Sequence, residues 1–96
     1  MLFMMFFSWT DQGVRSIKDA PKRAMAARDL GKRMGVEIKQ VYLTTGEADQ
    51  VAIVEAANDD SVAKFAMALG AAGNVRTRTV RAWSETEAVK LISELP

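Results

Sequence analysis

Apolar and polar positions along the chain change period several times, and the changes mark out the elements. Residues 2–9 are almost wholly apolar and aromatic, which predicts a strand covered on both faces, or on one face plus an oligomer contact. Thr10-Asp11 then offers a helix N-cap with an acid in the first turn. Residues 14–35 have helical spacing, with Ile17, Ala20, Ala24, Ala27 and Met34 close to one stripe. Pro21 interrupts that stripe. A proline there removes an amide donor and clashes with the preceding turn, so the spacing predicts a kink or two abutting helices. Asp19 or Ala20 would cap the second piece, with Pro21 in its first turn. Alanines on the buried stripe let this helix lie close to a sheet, and Gly35 ends it as a left-handed C-cap residue.

From residue 36 to 44 the period becomes two. Val36, Ile38, Gln40, Tyr42 and Thr44 point one way, and Glu37, Lys39, Val41 and Leu43 the other. Residues 45–48 read as a turn and 49–57 as a strand rich in Val and Ile, which makes an antiparallel hairpin. Residues 58–61 cap a helix carrying Val62, Phe65, Ala66 and Leu69 as far as Gly70. Alternation returns over 75–83, and Ser84 with Glu87 forms a capping box that opens a last helix through Val89, Leu91 and Ile92. The order is β-α-β-β-α-β with a C-terminal helix. It predicts an α+β, ferredoxin-like fold with a four-stranded antiparallel sheet and helices on one face. The other face would leave Phe and Trp side chains of the first strand, with Tyr42 or Val41, in water. A patch that large calls for a cover, and the simplest is a second copy of the sheet about a two-fold axis. A homodimer, or a higher even-numbered homo-oligomer, is expected.

Composition narrows the chemistry. The 96 residues make room for one domain over 1–96, and 49% of them are hydrophobic, enough for one core. Cys and His are both absent. Those absences exclude a structural zinc site of the usual kind, a thiol nucleophile, an imidazole base, a Ser-His-Asp triad and a haem on a proximal His, and no cofactor or metal is expected. A net charge of +1 is far from a nucleic-acid-binding signature. The apolar start lacks a basic n-region and a small-residue cleavage pattern, and at about nine residues it is too short to cross a bilayer. The expected setting is cytoplasmic, with no membrane partner.

Three groups of polar residues are candidates for ligand binding, each with a plainer alternative. Arg15, Asp19 and Arg23 are spaced four apart, with Lys18 beside them. They form either an anion-binding rim with Arg23 as a bidentate clamp, or a ladder of weak surface ion pairs. Asp49 follows a turn directly, so it is either a carboxylate at the mouth of a barrel or a turn residue accepting backbone amides. On the last strand, Arg81 shares its face with Thr77, Thr79 and Trp83, whereas Arg76 and Arg78 point the other way. Two hydroxyls and a guanidinium could line a small polar pocket, or could pair across strands and subunits. Tyr42 is a further candidate. The aromatic residues read as core and interface.

Ser8-Trp9-Thr10, GVRSIKDAPKR over 13–23, GEADQVAIVE over 46–55 and GNVRT over 73–77 resemble the GYD domain family of small bacterial and archaeal proteins. The likeness runs from about Leu2 to Trp83. It implies a dimeric α+β barrel. One departure is plain: the signature Gly-x-Tyr-Asp reads Gly46-Glu47-Ala48-Asp49, so Ala48 stands where the family has tyrosine. Two classes of function follow. One is an oligomer, purely structural or holding a small apolar or anionic ligand between sheet and helices. The other, by analogy with monooxygenases and isomerases on similar barrels, is a cofactor-free enzyme relying on Asp49, Tyr42 and the arginines.

Overall fold

A computed structural model describes residues 1–96. Strand β1 (Leu2–Trp9) leads through a short helix α1 (Asp11–Arg15) and a 3₁₀ turn (Ile17–Asp19) into α2 (Ala20–Arg33). There follow β2 (Val36–Leu43), β3 (Gln50–Ala56), α3 (Asp59–Ala71), β4 (Val75–Ala82) and α4 (Glu85–Ser93). The four strands form one antiparallel sheet in the order β2-β3-β1-β4, the ferredoxin-like arrangement the periodicity predicts.

The breaks follow from local chemistry. Pro21 sits in the first turn of α2, where its missing amide has no partner to lose, and the tight turn before it separates α2 from α1. The Thr10 side chain accepts from the Gly13 amide, and Asn58 accepts from Ser61, at the starts of α1 and α3. Ser84 and Glu87 form the full capping box at α4.

Side chains on directly paired residues share a face, so the register sorts the sheet into two sides. Phe3, Met5, Phe7 and Trp9 point to the helices, together with their partners Val54, Ala52 and Gln50 on β3. The buried core lies there, built from Phe3, Met5, Val36, Ala52, Val54 and Ala56 under Val62 and Phe65 of α3. The open side carries Leu2, Met4 and Phe6 between Val51 and Ile53 of β3 and Val80 of β4. The apolar stripe of the open side thus comes from the even-numbered residues of β1. Phe7 and Trp9 belong to the helix side, which corrects the placement expected for the Phe and Trp of this strand.

A β-bulge makes a second correction. The register between β2 and β3 shifts between Ile38 and Gln40, so strict alternation fails at Lys39. Val36 and Ile38 face the helices, and after the bulge Val41 does as well, opposite Ala52. Gln40 and Tyr42 turn to the open side. Lys39, at the bulge, pairs with Glu55 at 3.0 Å. That hydrogen bond and the charges of Glu55 and Glu37 hold the Lys39 ammonium above its ordinary pKa.

Helix α2 packs against β2. At Gly31 it comes so close that a β-carbon would sit 2.7 Å from the Val36 carbonyl oxygen and 3.4 Å from the Phe65 ring. Towards its N-terminus the contact opens. There, alanines of both helices face the sheet across a space that no side chain fills.

Candidate functional site

That space is a cavity of about 330 Å³ between the sheet and helices α2 and α3. Phe7, Trp9 and Ala52 contribute to its floor, Ala24 and Ala27 to one wall, and Leu69 and Ala72 to the other. Its size is at the lower end of the range for small-molecule sites, and its lining is predominantly apolar. Polar side chains reach it in only a few places: Arg23, Arg28, Gln50 and Asn74. No carboxylate lines it.

Arg23 is held rigidly. Its Nη1 donates to the Ser16 carbonyl at 2.8 Å and to the Ser16 hydroxyl at 3.0 Å, and its Nη2 donates to the Gly13 carbonyl at 3.0 Å. Those carbonyls lie at the end of α1, where a cation satisfies both the hydrogen bonding and the local dipole. The spacing of Arg15, Asp19 and Arg23 would allow mutual pairing, but Arg23 turns inwards to the backbone instead. Arg15 and Lys18 are exposed and do not line the cavity.

Beside the cavity, the β1–α1 corner interlocks with the loop before β4. The Thr10 amide donates to the Asn74 carbonyl at 3.0 Å and its hydroxyl to the Gly73 carbonyl at 2.6 Å. Gln12 Nε2 donates to the Ala72 carbonyl at 3.2 Å and to Asn74 Oδ1 at 3.0 Å. The Ser8-Trp9-Thr10, Gly13 and Gly73-Asn74 blocks of the sequence therefore meet in space, and Trp9 and Asn74 line the cavity from this corner.

Asp49 is engaged at the hairpin. Its Oδ2 accepts the Trp9 amide at 2.9 Å, and its own amide donates to the Phe7 carbonyl at 2.8 Å. The carboxylate thus satisfies the backbone where β1 runs past the end of β3, and it does not line the cavity. Ala48, at the tyrosine position of the signature, is 8% exposed, and its carbonyl accepts the Thr44 hydroxyl at 2.7 Å. Tyr42 is exposed on the open side, donating to Gln40 Oε1 at 2.6 Å.

Thr77, Thr79 and Arg81 share the helix side of β4, as their spacing predicts, but none lines the cavity. Arg81 packs over the Phe3 ring at 5.7 Å and over the Trp83 ring at 4.5 Å. Its Nη1 also donates to the carbonyls of Leu2 and Ala82, so it closes the far end of the sheet. Of the candidate ligand-binding residues, only Arg23 reaches the cavity. Gln50, Asn74 and Arg28 are lining residues that the sequence pattern does not mark. Gln50 follows Asp49 at an inward position of β3, and a polar residue there is the signal that could have found it.

A family model of the GYD domain matches residues 3–92. The chain belongs to the GYD domain family. It is also similar to a protein of Thermus thermophilus named glutamine synthetase and cystathionine beta-lyase binding protein. The two are 30% identical over 81 residues, which cover 83% of this chain and 85% of the relative. The match to the GYD domain spans every element that builds the cavity. No helix is long and apolar enough to cross a membrane.

Proposed function

We propose that this GYD domain protein is a homodimeric binding protein that holds a small, mainly apolar molecule between its sheet and its helices. The observation that carries the reading is the cavity itself, an apolar space of about 330 Å³ with a few polar groups at its edges, of which Arg23 is fixed by three hydrogen bonds. The homodimer rests on the open side of the sheet. Leu2, Met4, Phe6, Val51, Ile53 and Val80 form one apolar stripe flanked by Arg76, Arg78, Lys39 and Glu55, an apolar centre with a charged rim. The C-terminal helix leaves its own Val89, Leu91 and Ile92 exposed as well, so further apolar surface is free for the assembly. Native mass spectrometry of the purified protein tests both parts. A dimer carrying a non-covalent adduct that is lost on mild activation is expected. A monomer would overturn the dimer. An adduct-free protein whose melting temperature no apolar compound shifts would overturn the cavity reading.

A second reading draws on the relative, whose name describes a protein that binds two enzymes. The exposed apolar side of α4, well capped yet uncovered, is the surface that favours such a partner here. Sedimentation velocity with purified glutamine synthetase and with cystathionine beta-lyase tests it, and two unchanged enzyme boundaries would remove it.

A further inference from the structure

The cavity combines two features that select a chemical class. Its walls are apolar, so a ligand must offer an apolar body to gain from leaving water. Its charged lining groups are the half-buried Arg23 and the exposed Arg28, and no carboxylate lines it, so the charge at its edge is positive and suits an anion. Arg23 is the better placed of the two. Its three bonds to Ser16 and Gly13 come from Nη1, which makes two, and Nη2, which makes one. The Nε–H has no acceptor in the chain, and Nη2 makes a single bond, so the guanidinium keeps donors for the charge-assisted hydrogen bonds that hold a carboxylate. Because the remaining bonds fix the guanidinium, little side-chain freedom is lost when it binds. Gln50, half-buried on the sheet side of the same cavity, makes no side-chain hydrogen bond and offers both a donor and an acceptor.

Resting on the cavity reading above, we propose that the ligand is an amphipathic monocarboxylate, its hydrocarbon body in the cavity and its carboxylate against the donors that Arg23 leaves free. The hydrocarbon could be aliphatic or aromatic, since both bring the same head group and the same kind of surface.

The test uses the full chain and four probes in calorimetric titrations: octanoate, 3-phenylpropanoate, 1-octanol and octylammonium. At least one carboxylate should bind about tenfold more tightly than octanol, the gain appropriate to a charge-assisted pair. Octylammonium should bind most weakly, and the carboxylate advantage should shrink as salt rises. The two acids separate the sources, because a narrow slot prefers the chain and a broad one the ring. Arg23→Gln should erase the advantage of the carboxylates over octanol measured on the same variant. Should that variant fail to fold, the comparison of octanoate with octanol on the unaltered protein still decides the matter. If octanol binds as tightly as the acids, the carboxylate proposal is wrong and the cavity reading stands. If none of the four binds, both fall.

Discussion

Gly13 and Asn74 touch so closely that a β-carbon on residue 13 would lie 2.2 Å from the Asn74 carbonyl oxygen. That carbonyl cannot swing away, because it accepts the Thr10 amide at 3.0 Å, and the neighbouring Gly73 carbonyl accepts the Thr10 hydroxyl. Gly13→Ala therefore has to push the β1–α1 corner off the loop before β4. The expected cost is about 2–3 kcal/mol of stability, large for a single methyl group. Chemical denaturation measures it, and a change below about 0.5 kcal/mol would mean that the two segments are not locked together.

Neighbouring methionines should respond in opposite ways to the same substitution. Met4 lies on the open side between Ile53 and Val80, whereas Met5 points into the core and is 0% exposed. Met4→Asp puts a charge in the middle of the proposed dimer interface, so it should yield a folded monomer. Met5→Asp buries an unpaired carboxylate under the helices and should cost about 3–5 kcal/mol, enough to unfold much of the protein. Light scattering with circular dichroism separates the two outcomes. A stable dimer from Met4→Asp would show that the open side is not where two chains meet.

The order of elements was legible because each break carries a local signal: Thr10, Pro21, Asn58 and the Ser84–Glu87 box are all decided within a few residues. Which side of the sheet each residue faces was less so. The bulge at Lys39 reverses the alternation of β2, and its cause lies in the pairing with β3, which a single strand does not reveal. In β1 every residue from Leu2 to Phe7 is apolar, so periodicity could not say whether the odd or the even positions meet the helices. The site depended on such long-range facts. Arg23 stood out as a charge on a helix, but its role as a fixed wall group follows from the turn at Ser16, which brings two carbonyls beneath it. Gln50 and Asn74 gained meaning only when three distant segments closed around one space.

Filling the cavity should separate its ligand from its fold. Ala68 of α3 lines the space, whereas Ala63 on the same helix is exposed. In Ala68→Leu the added methyl groups enter a void, so stability should stay level or rise by up to about 1 kcal/mol, a gain of roughly 4–8 °C in melting temperature. Binding of an amphipathic fluorescent probe such as anilinonaphthalene sulfonate should fall at least about tenfold. Ala63→Leu, with the same change of side chain, should leave probe binding intact. Equal binding by the two variants would place the probe elsewhere.

The C-terminal helix offers a titration that reads a single cap. Glu87 accepts the Ser84 amide at 2.9 Å, and Ser84 Oγ accepts the Glu87 amide at 3.1 Å. The hydrogen bond from the Ser84 amide, helped by the Ser84 side chain and the charge of Arg81, holds the Glu87 carboxyl below its ordinary pKa. A carboxyl whose pKa is lowered in the folded state stabilises it fully above the ordinary carboxylate range. That contribution disappears as the pH falls through the lowered value. Because Val89 and Ile92 remain exposed, little packing props α4 up once the cap weakens. Carbon chemical shifts over residues 85–93 should therefore lose helical character on acidification below the usual carboxylate range, while those of α2 hold. Glu87→Gln keeps an acceptor for the Ser84 amide and removes the charge, so its α4 should be somewhat less helical at neutral pH and no longer lose helicity with this titration. An α4 that loses helicity over the same acid range in the Gln variant would assign the transition to another carboxylate.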